Sequence, residues 1–392
     1  IERNVGSTPA GSGTPAAPAS APAPTPTPTE AAQPKAPETP TVPADASAAK
    51  GASTGTGAAG TSTSKTPKAV VITLGDRDNG DSVGIYFTAH ALREIIPSLE
   101  KTLGTDRTGV VVLRIYSGGG LAIEVPKLHA LLRNEYMKRW RTVAWVESSI
   151  SAAAMTPHCL DEIYFTSQAN YGACTMFSGN LKMSKGFELD SVLALMEKVS
   201  REAGYNPLIM RSMQIPDPLS ATVHPDGTVD FYPDEVSGDI LVNRAGQILT
   251  LNAVTAAQIK FSKGTADTIE QLTKIMGYQE LEWVGEKVPG IAWPVSKEER
   301  SQMDFRKKSK ADEQRADEYI ARYFTAVNVA QSLQNRDDRA KAVGKARQAL
   351  DEIKRMIRNN PAFLLMNLNM ESEAEFKQWL DAQEKLLREL MK

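Results

Sequence analysis

Cysteine is nearly absent from this chain: two in 392 residues, Cys159 and Cys174. Two thiols cannot build a disulfide framework, so any stable fold here rests on a packed core, and buried free thiols are the expectation. Histidine is almost as scarce, at four. No His/Cys cluster has metal-ligand spacing and no phosphate-loop pattern occurs, so no metal and no cofactor is expected. Net charge is also low, −2, which argues against a general nucleic-acid binder or an adhesin for anionic membranes. No apolar run reaches the roughly 18 residues that a membrane-spanning helix needs.

What the chain has in excess is Ala, Pro, Thr, Ser and Gly, concentrated in residues 1–67 with APAPTPTPT at the centre. Such a segment buries too little apolar surface to offset its ordering entropy, so a disordered or polyproline-like tether is expected. The first residue is Ile1, not Met. A removed export signal explains this, as does a trimmed start. An exported, periplasmic protein is the expectation, with a cytoplasmic one left open.

From Lys68 the pattern becomes that of a folded domain. Ala69–Leu74 reads as a strand, Asp76–Asp81 as a turn and Ser82–Phe87 as a second short strand. Thr88 can cap a helix running to about Leu103. Val110–Ile115 is a β-branched run, hence a buried strand, and ends in Ser117-Gly118-Gly119-Gly120. Leu121–Met137 reads as a helix with Ile123, Leu128, Leu131 and Leu132 on its apolar face. Thr142–Val146 is the next strand, and after Ser151 the run Ala152-Ala153-Ala154 starts another helix. Strand and helix alternating at this spacing predict an α/β fold with a mainly parallel sheet. From residue 296 charge dominates and helical periodicity takes over, giving a three-helix segment through residue 392. Either it packs on the core or it serves as an oligomerisation or docking module.

Two places carry chemistry. Three glycines after a buried strand leave backbone N–H groups uncrowded, where a negatively charged oxygen could be held; a tight turn explains them equally well. A serine between a buried strand and a helix sits where a nucleophile benefits from the helix's positive end, although helix starts are also where serine is ordinarily found.

The order Ile115-Tyr116-Ser117-Gly118-Gly119-Gly120, Ser151-Ala152-Ala153, Asp161-Glu162-Ile163 and Asn170-Tyr171-Gly172-Ala173 resembles the ClpP/crotonase superfamily. The likeness is closest to the signal peptide peptidase A and NfeD-type serine peptidases, and covers roughly residues 68–284. The resemblance implies a spiral of β-β-α units over residues 68–290, flanked by the tether and by a helical appendage over 296–392. It implies a serine endopeptidase that takes peptide or protein substrates and forms a homo-oligomer. Ser151 becomes the nucleophile, and the Gly119 and Gly120 amides the oxyanion hole. The ring-forming Clp peptidases use a downstream His as base, but this chain has Thr175-Met176-Phe177 there. His158 is two helical turns from Ser151, about 10 Å along a helix. The NfeD branch uses a Lys before a helix ending in Gly-Arg-Asn; here Lys185 precedes Glu188–Ala203 and Gly204-Tyr205-Asn206, with Lys182 the runner-up and Lys198 expected on a solvated face. A free lysine is neutral in less than roughly one molecule per thousand at pH 7, so its pKa must fall by about 3, on the order of 4 kcal/mol, before it serves as a base.

Four departures from the family pattern stand out. Gly118 replaces a proline, Ala153 replaces a glycine, and Pro157 interrupts the helix after Ser151. Where the family usually has a glycine, Lys260 stands. A catalytically inactive relative, kept as a scaffold or peptide binder, is the alternative. Acyl-CoA chemistry of the crotonase branch would not need Ser151.

Overall fold

A computed structural model describes residues 66–78, 80–178, 182–183, 185–370 and 372–392. The tether expected over 1–67 falls almost entirely outside the described residues.

Four strands form the centre. β1 (Lys68–Leu74), β2 (Val110–Ser117), β3 (Arg141–Ile150) and β4 (Ile163–Gly172) lie side by side in sequence order, each parallel to the next. β5 (Phe177–Ser178) and β6 (Lys182–Met183) pair as a short antiparallel hairpin. β7 (Leu219–Val223) is flanked by β8 (Val229–Tyr232) and β9 (Ile240–Asn243) in a separate antiparallel sheet. β10 (Thr250–Asn252) then joins the main sheet antiparallel to β4, and β11 (Glu282–Trp283) joins it parallel to β1. The class is therefore α/β with a parallel-rich sheet.

The β-branched runs are buried on both faces, as parallel strands require. Val70, Ile72, Val111, Leu113, Ile115, Ala144 and Val146 face the larger core, shared with Leu92, Leu99, Leu128 and Leu132. The alternate residues Val71, Val110, Val112, Val143 and Trp145 face a second cluster with Ile269, Leu272 and Met276.

Local chemistry modified several expected elements. Ser82–Phe87 is not a strand: the Ile85 and Tyr86 amides turn back onto the Ser82 carbonyl, and only Val83 bridges, to Phe87 and Gly120. Thr88 does cap, accepting from the Ala91 amide, but the helix stops at Glu94 and restarts at Ile96 around Pro97. The Leu121–Met137 segment opens as a 3-10 turn over Ala122–Glu124, so Ile123 points outward at 59 % exposure instead of into the core. Lys260 holds φ at 56°, the left-handed backbone for which the resembled family's glycine would be suited.

The C-terminal segment begins with the helix Lys297–Glu313; the helices after it, Ala316–Ser332, Arg336–Asn359, Ala362–Leu368 and Glu373–Glu389, enclose their own core of Tyr323, Ala330, Val343, Ala346, Leu350, Ile353, Met356 and Phe363. The helix Lys297–Glu313 docks on the sheet through polar side chains. Glu299 accepts the Thr73 amide at 2.6 Å, and Arg306 donates to the Thr73 carbonyl at 2.6 Å and to Asp76 at 3.1 Å. Among the described residues β1 pairs with no strand on that side beyond Ala69, so two side chains there stand in for the peptide groups of a neighbouring strand. Gln302 adds a bond to the Ala91 carbonyl, and Asn360 one to that of Ile85.

Candidate active site

The site grows out of a defect in β3. Ile115 pairs with Val146 but Tyr116 pairs with Ser148, leaving Glu147 as the extra residue of a bulge. Its carboxylate accepts from Arg114 at 2.7 Å and Arg77 at 2.8 Å. Beyond the bulge, Ser149 and Ile150 pair with Tyr171 and Gly172, and the Ser151 amide donates to the Gly172 carbonyl at 2.9 Å. The chain then has to leave the sheet within one residue.

Ser151 makes that turn with φ 57° and ψ −131°, a conformation that non-glycine residues adopt only at a cost of order 1–3 kcal/mol. Its carbonyl accepts from the Ala154 and Met155 amides, so it occupies the cap position of the one-turn helix Ala152–Met155. The usual reason for serine at a cap is that its hydroxyl binds a first-turn amide. Here the side chain makes no cap bond, and among the described residues the hydroxyl has no hydrogen-bond partner at all. A strained turn that holds a serine hydroxyl clear of its own backbone is the geometry of a nucleophile elbow.

The glycine run lies against it. A Cβ on Gly119 would meet Ser151 Cβ at 2.7 Å and Oγ at 3.2 Å, and one on Gly120 would meet the Val83 carbonyl at 2.3 Å. Both have positive φ, 115° and 150°. The three amides are not equivalent. That of Gly118 donates to Asp81 at 3.0 Å and that of Gly119 to Ser117 Oγ at 3.1 Å. Among the described residues the Gly120 amide has no acceptor, nor does that of Ala152, the residue after the serine. The sequence pattern singled out Gly119 and Gly120; in the structure Gly119 supplies the close approach and Gly120 the free donor. Ala152 was missed, though any residue following an elbow serine offers its amide. One helical turn also carries little dipole, which leaves individual N–H groups as the electrostatic resource.

Lys185 is exposed, just ahead of the helix Phe187–Glu202, and makes no hydrogen bond to Ser151. Lys182 belongs to β6, and its side chain lies outside the described residues. Lys198 is on the solvated face, in a loose pair with Glu202. His158 is fully buried, between Tyr171 hydroxyl at 3.2 Å and Ser200 Oγ at 2.9 Å, with its pKa pulled down to about 3 by burial. Its ring makes no hydrogen bond to Ser151 among the described residues. Cys159 and Cys174 are free and buried, and burial pushes the Cys159 thiol up to about 12. Among the described residues no group of three or more His, Cys, Asp or Glu could hold a metal, and no helix is long and apolar enough to cross a membrane. A cavity of about 430 Å³ at the ends of β1 to β3, lined by Arg77, Arg114, Tyr116, Glu147, Trp293 and Arg306 among others, does not include Ser151 or the glycines. Ser151 and Gly118–Gly120 therefore do not line this hollow.

No protein-family model matches the chain, and no curated protein matches it. Solved structures resemble it weakly. A serine-to-alanine mutant of the 1510-N membrane-bound stomatin-specific protease is 13 % identical with a TM-score of 0.39, over 59 % of this chain and 94 % of that one. A lysine-to-alanine mutant of the same protease, in complex with a substrate peptide, is 14 % identical with a TM-score of 0.39, over 59 % and 88 %. ClpP1 from Listeria monocytogenes is 12 % identical with a TM-score of 0.33, over 52 % and 94 %. Likeness at this level carries no functional argument; the reading below rests on the site.

Proposed function

We propose that the chain is a serine-type peptidase of ClpP/crotonase-like spiral architecture, with Ser151 as nucleophile and a lysine as base. The strained, uncapped Ser151 beside the Gly119 backbone carries this reading. In the proposed reaction Ser151 Oγ attacks a peptide carbonyl carbon while the amine of Lys185, or of Lys182 on the adjacent hairpin, takes its proton. The Gly120 and Ala152 amides receive the oxyanion. The proton passes to the departing amine, and water then releases the acyl group. The lysine amine has to reach the serine, and desolvation there is what would make it neutral. The substrate is a peptide or protein, and the reading carries with it an exported, homo-oligomeric protein with a tether (1–67), a peptidase domain (68–290) and a helical appendage (296–392).

Labelling with a fluorophosphonate tests it. Wild-type protein is expected to take the probe and Ser151→Ala to lose it. Lys185→Ala and Lys182→Ala identify the base by which one abolishes uptake. Labelling that survives Ser151→Ala refutes the proposal. A second reading, a catalytically silent peptide-binding scaffold, is favoured by the exposed Lys185; it predicts no labelling of any variant.

A further inference from the structure

The helix after Ser151 is one turn long, and its carbonyls face an accounting problem. In a continuing helix the carbonyls of Ala153, Ala154 and Met155 would accept from the amides of residues 157, 158 and 159. Pro157 has no amide hydrogen and the chain turns into a 3-10 segment, Pro157–Cys159. All three carbonyls are nonetheless satisfied, each by a side chain from a different element. Ser149 Oγ, on β3, donates to Ala153 at 2.8 Å. The Tyr171 hydroxyl, on β4, donates to Ala154 at 2.6 Å. His129 Nε2, on the helix Val125–Leu131, lies 2.8 Å from the Met155 carbonyl. A carbonyl only accepts, so that ring nitrogen carries the proton, while among the described residues Nδ1 has no partner. These three side chains are all buried, Ser149 and Tyr171 completely.

We infer that Ser149, Tyr171 and His129 are positioning residues, a three-point clamp that holds the one-turn helix in register against the strain at Ser151. The inference rests on the reading of Ser151 as nucleophile. Without the clamp, the turn at Ser151 is free to relax toward ordinary backbone angles. Its hydroxyl would then rotate off the glycine run and the Ala152 amide would leave the oxyanion position. The proline that breaks the helix is therefore what hands control of the site to the surrounding sheet and the helix Val125–Leu131. The ordinary serine-to-helix environment of Ser149 gives no hint of this role; the missing donor at Pro157 does.

The test uses the full chain and a fluorophosphonate at fixed concentration. Tyr171→Phe deletes one hydroxyl and is expected to lower the labelling rate constant about 10- to 100-fold, the scale of a small misplacement at a reacting centre, at temperatures where the variant is fully folded. His129→Leu should do the same and His129→Gln, whose amide can still donate to Met155, should recover most of the rate. Hydrogen exchange of the amides in 150–156 reads the same clamp without any chemistry and should quicken in Tyr171→Phe and His129→Leu. Wild-type labelling rates in folded Tyr171→Phe, or no rescue by His129→Gln, overturn the inference while leaving the nucleophile assignment intact. If wild-type protein takes no probe, the nucleophile reading falls, and exchange decides the clamp: unchanged exchange across 150–156 removes it.

Discussion

Replacing Ser151 by glycine should make the protein more stable than replacing it by alanine. Both variants lose the hydroxyl, so the comparison isolates the backbone. At φ 57° and ψ −131° a residue with a Cβ costs of order 1–3 kcal/mol. Glycine removes that strain, and its greater unfolded-state freedom takes back about 0.5–1 kcal/mol. The net gain of Ser151→Gly over Ser151→Ala is therefore about 0.5–2 kcal/mol. At roughly 2 °C per kcal/mol for a chain of this size, the melting midpoint should rise by about 1–4 °C. Ser151→Ala itself should stay within about 0.5 kcal/mol of wild type, because the hydroxyl makes no hydrogen bond among the described residues. Urea titrations of the three proteins, fitted with a common slope, measure the differences. Should Ser151→Gly prove no more stable than Ser151→Ala, the turn stores no strain, and the main support for Ser151 as nucleophile goes with it.

Other substitutions probe the surroundings. Gly119→Ala places a methyl 2.7 Å from Ser151 Cβ; it should cost at least about 2 kcal/mol in denaturant titrations and abolish probe uptake. Arg306→Ala leaves Glu299 buried without its cation and should cost about 3–5 kcal/mol, much of it recovered by Arg306→Met combined with Glu299→Met. Burial already raises the Glu299 pKa, with Arg306 and the Thr73 amide opposing. The native state then binds more protons than the unfolded one above the usual carboxylate range, so Arg306→Ala should lose stability as pH rises through it. His158 behaves oppositely. Its folded pKa of about 3 lies below its ordinary 6.5, so its contribution is present above pH 6.5 and declines at up to about 1.4 kcal/mol per pH unit as pH falls toward 3. His158→Phe should flatten that slope in thermal melts.

The central strands and the serine's place between β3 and a helix were legible because β-branched runs and small residues act locally. Val110–Ile115 could be read as buried from its neighbours alone. The rest depended on partners far along the chain. Ser82–Phe87 alternates like a strand, yet Ser82 turns it back on itself. Glu298, Glu299 and Arg306 look like a solvated charge run and are buried because Ser98, Thr102 and Thr73 accept or donate to them. Gly119 and Gly120 share one motif, but which amide stays free is set by the Ser117 hydroxyl. Spacing pointed to Lys185 ahead of the helix Phe187–Glu202, and its exposure there could not be read from spacing.

The Glu299 and Arg306 contacts with Thr73 have a practical consequence for anyone shortening this protein. A fragment ending near residue 290 would lose the Glu299 and Arg306 side chains from the outer rim of β1 and present a bare peptide edge to solution. Such a fragment is expected to pair laterally with itself and precipitate. Carrying the cut past the helix Lys297–Glu313 keeps the rim sealed, so a charge-rich helix far along the chain is what keeps the sheet from recruiting strangers.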